Sequence, residues 1–159
     1  MKRALVLVLL VAACGGGADK GADAKKAYLA KAEALCADVN TKVAKARKEV
    51  PTDIPSVPAY VHRIVDLGRV NVDGLSKLTP PPKDAADLQA KVLGPLTEQV
   101  TIGDEYAAKV DAAAKAKDNK TLTDLIFHPP TQTRADISWM RTYGFSACAT
   151  AADTGNSGK

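Results

Sequence analysis

Apolar side chains return every three or four residues along most of this chain, with charged residues between them. That is the period of an amphipathic helix, not of a strand. Leu29, Ala32, Cys36, Val39, Val43, Ala46 and Val50 form one such seam and predict a helix from Asp23 to about Glu49. Cys36 sits on the seam, so its sulfur should face the core. The run Pro51 to Pro58, with three prolines, breaks the pattern. A second face of Val57, Val61, Ile64, Gly68, Val72 and Leu75 predicts a helix from Pro58 to Leu78. Gly68 and Gly74 weaken it by about 1 kcal/mol each relative to alanine, unless they admit a neighbouring helix. Pro80, Pro81 and Pro82 stop it.

A third segment, Asp84 to Lys117, carries Leu88, Val92, Leu96, Val100, Gly103, Ala107, Val110 and Ala114 at helical spacing. Asp84 and Asp87 suit its positive N-terminal end, and Gly94-Pro95 inside it predicts a kink or a break. Asp118 to Lys120 is the next turn. Thr121 with Asp124 resembles a capping box and starts a helix that stops near His128, before Pro129-Pro130. A last helix runs from about Pro130 or Thr131 to Tyr143, with Ile137, Trp139, Met140 and Tyr143 as apolar content. Gly144 suits its left-handed C-terminal cap. Residues 149–159 are small and polar and predict a disordered tail.

Four helical segments with short connections predict an all-α domain over residues 23–148. The expected architecture is an antiparallel four-helix bundle with proline-rich connections and an interrupted last helix. Composition agrees: aromatics are 4% of the chain, alanine is abundant and β-branched runs are scarce. Lys and Arg number 22 against 18 Asp and Glu, and the two signs are interspersed. No basic block or basic-aromatic motif marks a nucleic-acid surface.

The first residues change the picture most. Lys2 and Arg3 precede an apolar run, Ala4 to Ala13, which is too short to cross a bilayer core, since a spanning helix needs roughly 20 residues. Its length and small C-terminal residues fit a secretion signal. Val11-Ala12-Ala13-Cys14 resembles the lipobox of bacterial lipoproteins. The resemblance implies a signal peptide over 1–13, cleavage before Cys14, and lipidation of the Cys14 thiol by a diacylglyceryl group with acyl chains such as palmitate. The alternative is an ordinary signal peptide cut after Ala13, leaving a free cysteine. Gly15-Gly16-Gly17 then opens a flexible tether over 14–22. The implied location is outside the cytoplasm, lipid-anchored to the cell membrane or outer membrane; in a two-membrane host, the absence of aspartate after Cys14 favours the outer one. Setting aside Lys2 and Arg3, the net charge falls from +4 to about +2.

With Cys14 lipidated, Cys36 and Cys148 remain, and an oxidising compartment permits a disulfide between them. It would close a loop of about 110 residues, worth about 4–5 kcal/mol in the chain-entropy model. Two buried thiols or a redox pair are the alternatives. The early helix cysteine, the break Leu78-Thr79-Pro80-Pro81-Pro82 and the terminal Tyr143-Gly144-Phe145 before Cys148 are similar to those of small exported helical lipoproteins. That similarity carries no activity.

Candidate chemistry is sparse. His62 with Asp66, and Asp124 with His128, are spaced to share helix faces, and converging they could form a tetrahedral zinc site. Solvated surface pairs are the commoner outcome, so no metal is assigned. No haem-attachment motif, nucleophile elbow or phosphate-binding glycine loop occurs. These observations predict no catalytic residue, no cofactor and a non-catalytic lipoprotein. Its helical domain would serve protein interaction or envelope support, with the membrane as one partner and an envelope protein as another. The alternative is a small-ligand, lipid or metal carrier with a pocket near Gly68, Gly74 and Gly94.

Overall fold

The computed structural model describes residues 17–130 and 135–154. It is all-helical, with no strand among the described residues. Helix α1 spans Gly17–Lys48, α2 Val57–Ser76, α3 Ala85–Leu88, α4 Gly94–Lys115, α5 Asn119–Phe127, α6 Ile137–Tyr143 and α7 Ala147–Thr154. A 3-10 turn, Ile54–Ser56, leads into α2, and a π-helical turn, Gln89–Leu93, joins α3 to α4. Helix α2 packs against both α1 and α4, while α5 lies on α4 and α7 on α1. No described helix is long and apolar enough to cross a membrane.

Several boundaries differ from the sequence expectation, among them the start of the last helix, expected near Pro130 or Thr131 and found at Ile137, where Asp136 caps it. Helix α1 begins at Gly17, so residues 17–22, assigned above to a flexible tether, are helical. Ala18, Lys20 and Ala22 favour the helix enough to carry two glycines once the long helix beyond is nucleated. The chain end is a further correction. Residues 149–154 were assigned to a disordered tail, yet α7 runs through them and Ala149 is fully buried. Alanine has the highest helix propensity, and Ala149 is small enough to lie flat against the core.

Local chemistry explains the other ends. Asp53 caps the 3-10 turn by accepting from Ser56 N–H. Asp118, not Thr121, caps α5: its carboxylate accepts from both Thr121 N–H and Thr121 Oγ–H. Asp136 caps α6 through Trp139 N–H. Gly144 takes the left-handed conformation at φ 116°, and Phe145 N–H then reaches Met140 O, closing the end of α6.

The break at Gly94-Pro95 takes a specific form. Pro95 has no N–H to offer Lys91, four residues back. Gly94 N–H bonds to Gln89 O instead, one residue further back than in an α-helix. Lys91 O accepts from Asp136 N–H at 3.0 Å. The carbonyl freed by the proline is therefore what ties α6 to the third segment.

The core has two centres. One joins α1, α2, the α3–π–α4 segment, α6 and α7, with Phe145, Leu75, Leu88 and Met140 fully buried. The other, around Val110 and Leu122, joins α2, α4 and α5. Leu35 of α1 lies directly over Gly74, where a β-carbon would come within 2.4 Å of it. Gly74 thus allows α1 and α2 to approach closely. Replacing Phe145 with Ala should cost about 3–5 kcal/mol. Phe127→Ala, at a position 73% exposed, should stay within about 0.5 kcal/mol of the parent. Urea unfolding monitored by circular dichroism checks both.

Candidate functional site

Cys36 on α1 and Cys148 on α7 form a disulfide, with their Cα atoms 4.9 Å apart across 112 residues of sequence. Both side chains are buried. The first turn of α7 is held beside it. One Glu33 oxygen accepts from Ser146 Oγ–H at 2.6 Å and Ala147 N–H at 2.8 Å, and the other from Cys148 N–H at 3.2 Å. Glu33 thus supplies, from another helix, the carboxylate that the orphan N–H groups at an N-terminus need. Burial pushes the Glu33 carboxyl up, but these hydrogen bonds outweigh it and hold the group below its ordinary value. Asn40 Nδ2 donates to Ala147 O at 2.9 Å.

Beyond this clasp, α1, α2, α4 and α7 line a partly open, mainly apolar cleft of about 170 Å³. Val43, Val65 and Val100 line it together with the polar Asn40, Arg47 and Gln99, while Cys148 and Ala152 contribute from α7. It lies where α1 and α4 both flank α2, between the two core centres. Gly68 of α2 faces Val100, and Gly103 of α4 faces Val65, so these two helices are already in contact there. The cleft cannot close by moving them together.

Asn71 is the one buried polar side chain of the described core, 8% exposed, and it lines this cleft. Its polar neighbour is Cys36 Sγ, 3.6 Å from Oδ1. A disulfide sulfur carries no proton, so it cannot donate to that oxygen. An asparagine within the Gly68–Val72–Leu75 seam was the available sequence signal, and the periodicity alone passed over it.

The candidate histidines go elsewhere. His62 Nε2 meets Asp111 of α4 at 2.9 Å, with both side chains about half exposed. Asp66, its expected companion, pairs with Arg69, which also bridges to Asp104. These two carboxylates hold the Arg69 guanidinium above its ordinary value, Asp104 more than Asp66. Asp124 and His128 do pair, at 3.1 Å, but at about three-quarters exposure. Among the described residues no group of three or more His, Cys, Asp or Glu side chains is placed to hold a metal ion. The four residues His62, Asp66, Asp124 and His128 therefore do not form one site.

Near the chain's beginning, Tyr143 stacks on Trp139 with ring centres 4.6 Å apart, and Lys25 Nζ lies 3.9 Å from the Tyr143 ring centre. Tyr143 O–H donates to Asp84 Oδ2 at 2.7 Å. Burial, and then the Asp84 carboxylate, push the phenol well above its ordinary value, so it stays protonated and serves as a fixed donor. Asp84 is thereby drawn from the helix-capping role its position implied. Four large apolar side chains are exposed among the described residues: Val50, just past α1 and so outside the seam expected for it, at 56%, Val70 at 48%, and the adjacent Ile126 and Phe127 at the end of α5 at 42% and 73%. Cys14 lies outside the described residues. No protein-family model, curated protein or solved structure matches this chain.

Two outcomes follow from the clasp. Cys36→Ser should lower stability by about 2–5 kcal/mol, seen as a drop in melting temperature that reduction of the parent reproduces. Glu33 has a depressed folded-state value, so its contribution is fully present above the ordinary carboxylate range. It is lost as pH falls through the lower folded value. Acid unfolding of Glu33→Gln should lack that step, and an unchanged acid limb would refute the assignment.

Proposed function

We propose that this protein is a membrane-anchored cell-envelope lipoprotein whose non-catalytic helical domain acts by binding a protein partner. The observation that carries the binding role is the Ile126–Phe127 pair. A phenylalanine at 73% exposure beside an exposed isoleucine is surface that water disfavours, and partner-binding sites centre on aromatic anchors of this kind. Hydrogen bonds fix the helix that carries the pair. Asp118 caps the start of α5, and Tyr106 O–H donates to Leu125 O at 2.9 Å, fixing its last turn to α4.

The membrane half of the proposal rests on Val11-Ala12-Ala13-Cys14 and the charged, apolar stretch before it. Several acyl chains on Cys14 would give stable attachment, because each buried methylene contributes about 0.8 kcal/mol. An extracytoplasmic domain is also where a disulfide such as Cys36–Cys148 persists. The same reading takes the domain as an antiparallel four-helix bundle at heart, with proline-rich connections. In it α1, α2 and the α3–α4 segment are three members, and the interrupted α6–α7 stands for the fourth. The close packing of α7 on α1 and of α6 on the π-helical turn supports this.

Cys14→Ala should abolish incorporation of labelled palmitate and move the protein out of the detergent phase on partitioning. Retained label would overturn the anchor. A photo-cross-linking side chain at position 127 should give one discrete adduct with an envelope protein in intact cells, where the same group at exposed Lys45 gives none. Equal patterns from the two positions would overturn the partner role.

A further inference from the structure

We infer that the cleft between α1, α2 and α4 is a binding site for a small apolar molecule carrying one hydrogen-bonding group. A short-chain alkyl alcohol is the simplest member of that class. The apolar group would lie along Val43, Val65 and Val100, and the polar group against Asn71.

Three independent features lead to this class. The first is size. A cavity of about 170 Å³ falls below the roughly 300–1,000 Å³ of sites that take drug-sized ligands or cofactors. Its volume is close to the roughly 150 Å³ of an apolar cavity that takes up a molecule the size of benzene, but it is open on one side. The second is pre-organisation. Gly68 against Val100 and Gly103 against Val65 set the spacing of α2 and α4. Across the cleft α7 is pinned by the disulfide and by Glu33, with Cys148 and Ala152 forming part of the wall. Neither wall can relax inward, so the space persists where a less constrained core would collapse.

The third feature is Asn71. A side chain placed there only to fill space would be leucine or valine, as at the neighbouring seam positions Val72 and Leu75. The amide is more than nine-tenths buried and faces a sulfur that has no proton to give. A ligand hydroxyl would donate to Oδ1 and accept from Nδ2. Alkanes lack both functions, which gives the site a basis for preferring an alcohol over the hydrocarbon of equal length. Partly satisfied sites of this kind discriminate through the polar group left unpaired when the wrong ligand enters.

The test uses the full chain carrying Cys14→Ala, so that acyl chains of its own do not compete. It is titrated with 1-hexanol and with n-hexane and followed by amide NMR. Saturable shifts should appear at Val65, Gly68, Asn71 and Val100, with hexanol binding about 3- to 10-fold tighter than hexane, the worth of one net hydrogen bond. Val43→Phe, which fills the cleft from a half-buried rim position, should remove binding of both. Asn71→Leu should erase the preference for hexanol and raise the melting temperature of the free protein. The proposal is overturned if the shifts do not saturate or persist unchanged in Val43→Phe. It is also overturned if they centre on Ile126 and Phe127 instead, or if hexane binds as well as hexanol. A lowered melting temperature in Asn71→Leu would mean that water already satisfies the amide, and would overturn its assignment to a ligand. Should Asn71→Leu fail to fold, Val43→Phe and the comparison of hexanol with hexane in the chain that retains Asn71 still decide the matter.

Discussion

Cys148 lies 112 residues after Cys36, yet their Cα atoms are 4.9 Å apart. The placement of α7 on α1 depends on that closure. A helix of eight residues such as α7 is too short to persist alone in water. It exists because one end is covalently fixed, its first N–H groups are taken by Glu33, and Ala149 packs into the core. These restraints act at one place and in different currencies. The disulfide limits the unfolded chain, Glu33 supplies charge to a helix N-terminus, and Ala149 removes apolar surface from water. Losing any one would leave the other two holding a helix that cannot hold itself.

A second dependence runs through Pro95. The missing N–H forces the π-helical turn and frees Lys91 O, and Asp136 N–H takes it. Asp136 in turn caps α6, which presents Met140 and Tyr143 to the core. A defect in one helix is thus the attachment point of another. Gly94 fits the same place because a β-carbon there would approach Gln89 O to 3.0 Å. The pair Gly94-Pro95 is better understood as a docking device than as a weakness in a long helix.

These two regions show what could be read in the sequence. The helical class, the seam through Cys36 and the left-handed Gly144 follow from local rules, and each appears in the structure. The pairing of Cys36 with Cys148 also follows, because few cysteines leave few choices. What local rules missed are contacts made across long separations by residues with no distinctive spacing. Glu33 meets Cys148 and Tyr143 meets Asp84, and neither pair announces itself in a periodic pattern. Helix α7 was invisible for a related reason: a short alanine-rich segment gains its order from tertiary contacts, which outweigh the tendency of chain ends to fray. His62 took Asp111 instead of Asp66 because α4 lies against α2, and adjacency between helices outcompeted spacing within one.

The division of the core into two centres gives the cleft its physical meaning. In a bundle with four full-length helices, the face of α2 between α1 and α4 would be covered along its length. Here α7 packs on α1 and reaches the cleft only through Cys148 and Ala152, and the clasp that stabilises α7 holds it there. Valines along the uncovered stretch are half-buried instead of packed. Tightening this region would require a longer α7 or larger residues at Gly68 and Gly103, and both glycines already sit against valines. The stability of the clasp and the persistence of the cleft therefore have one origin, and a substitution that improved either by moving α7 would alter the other.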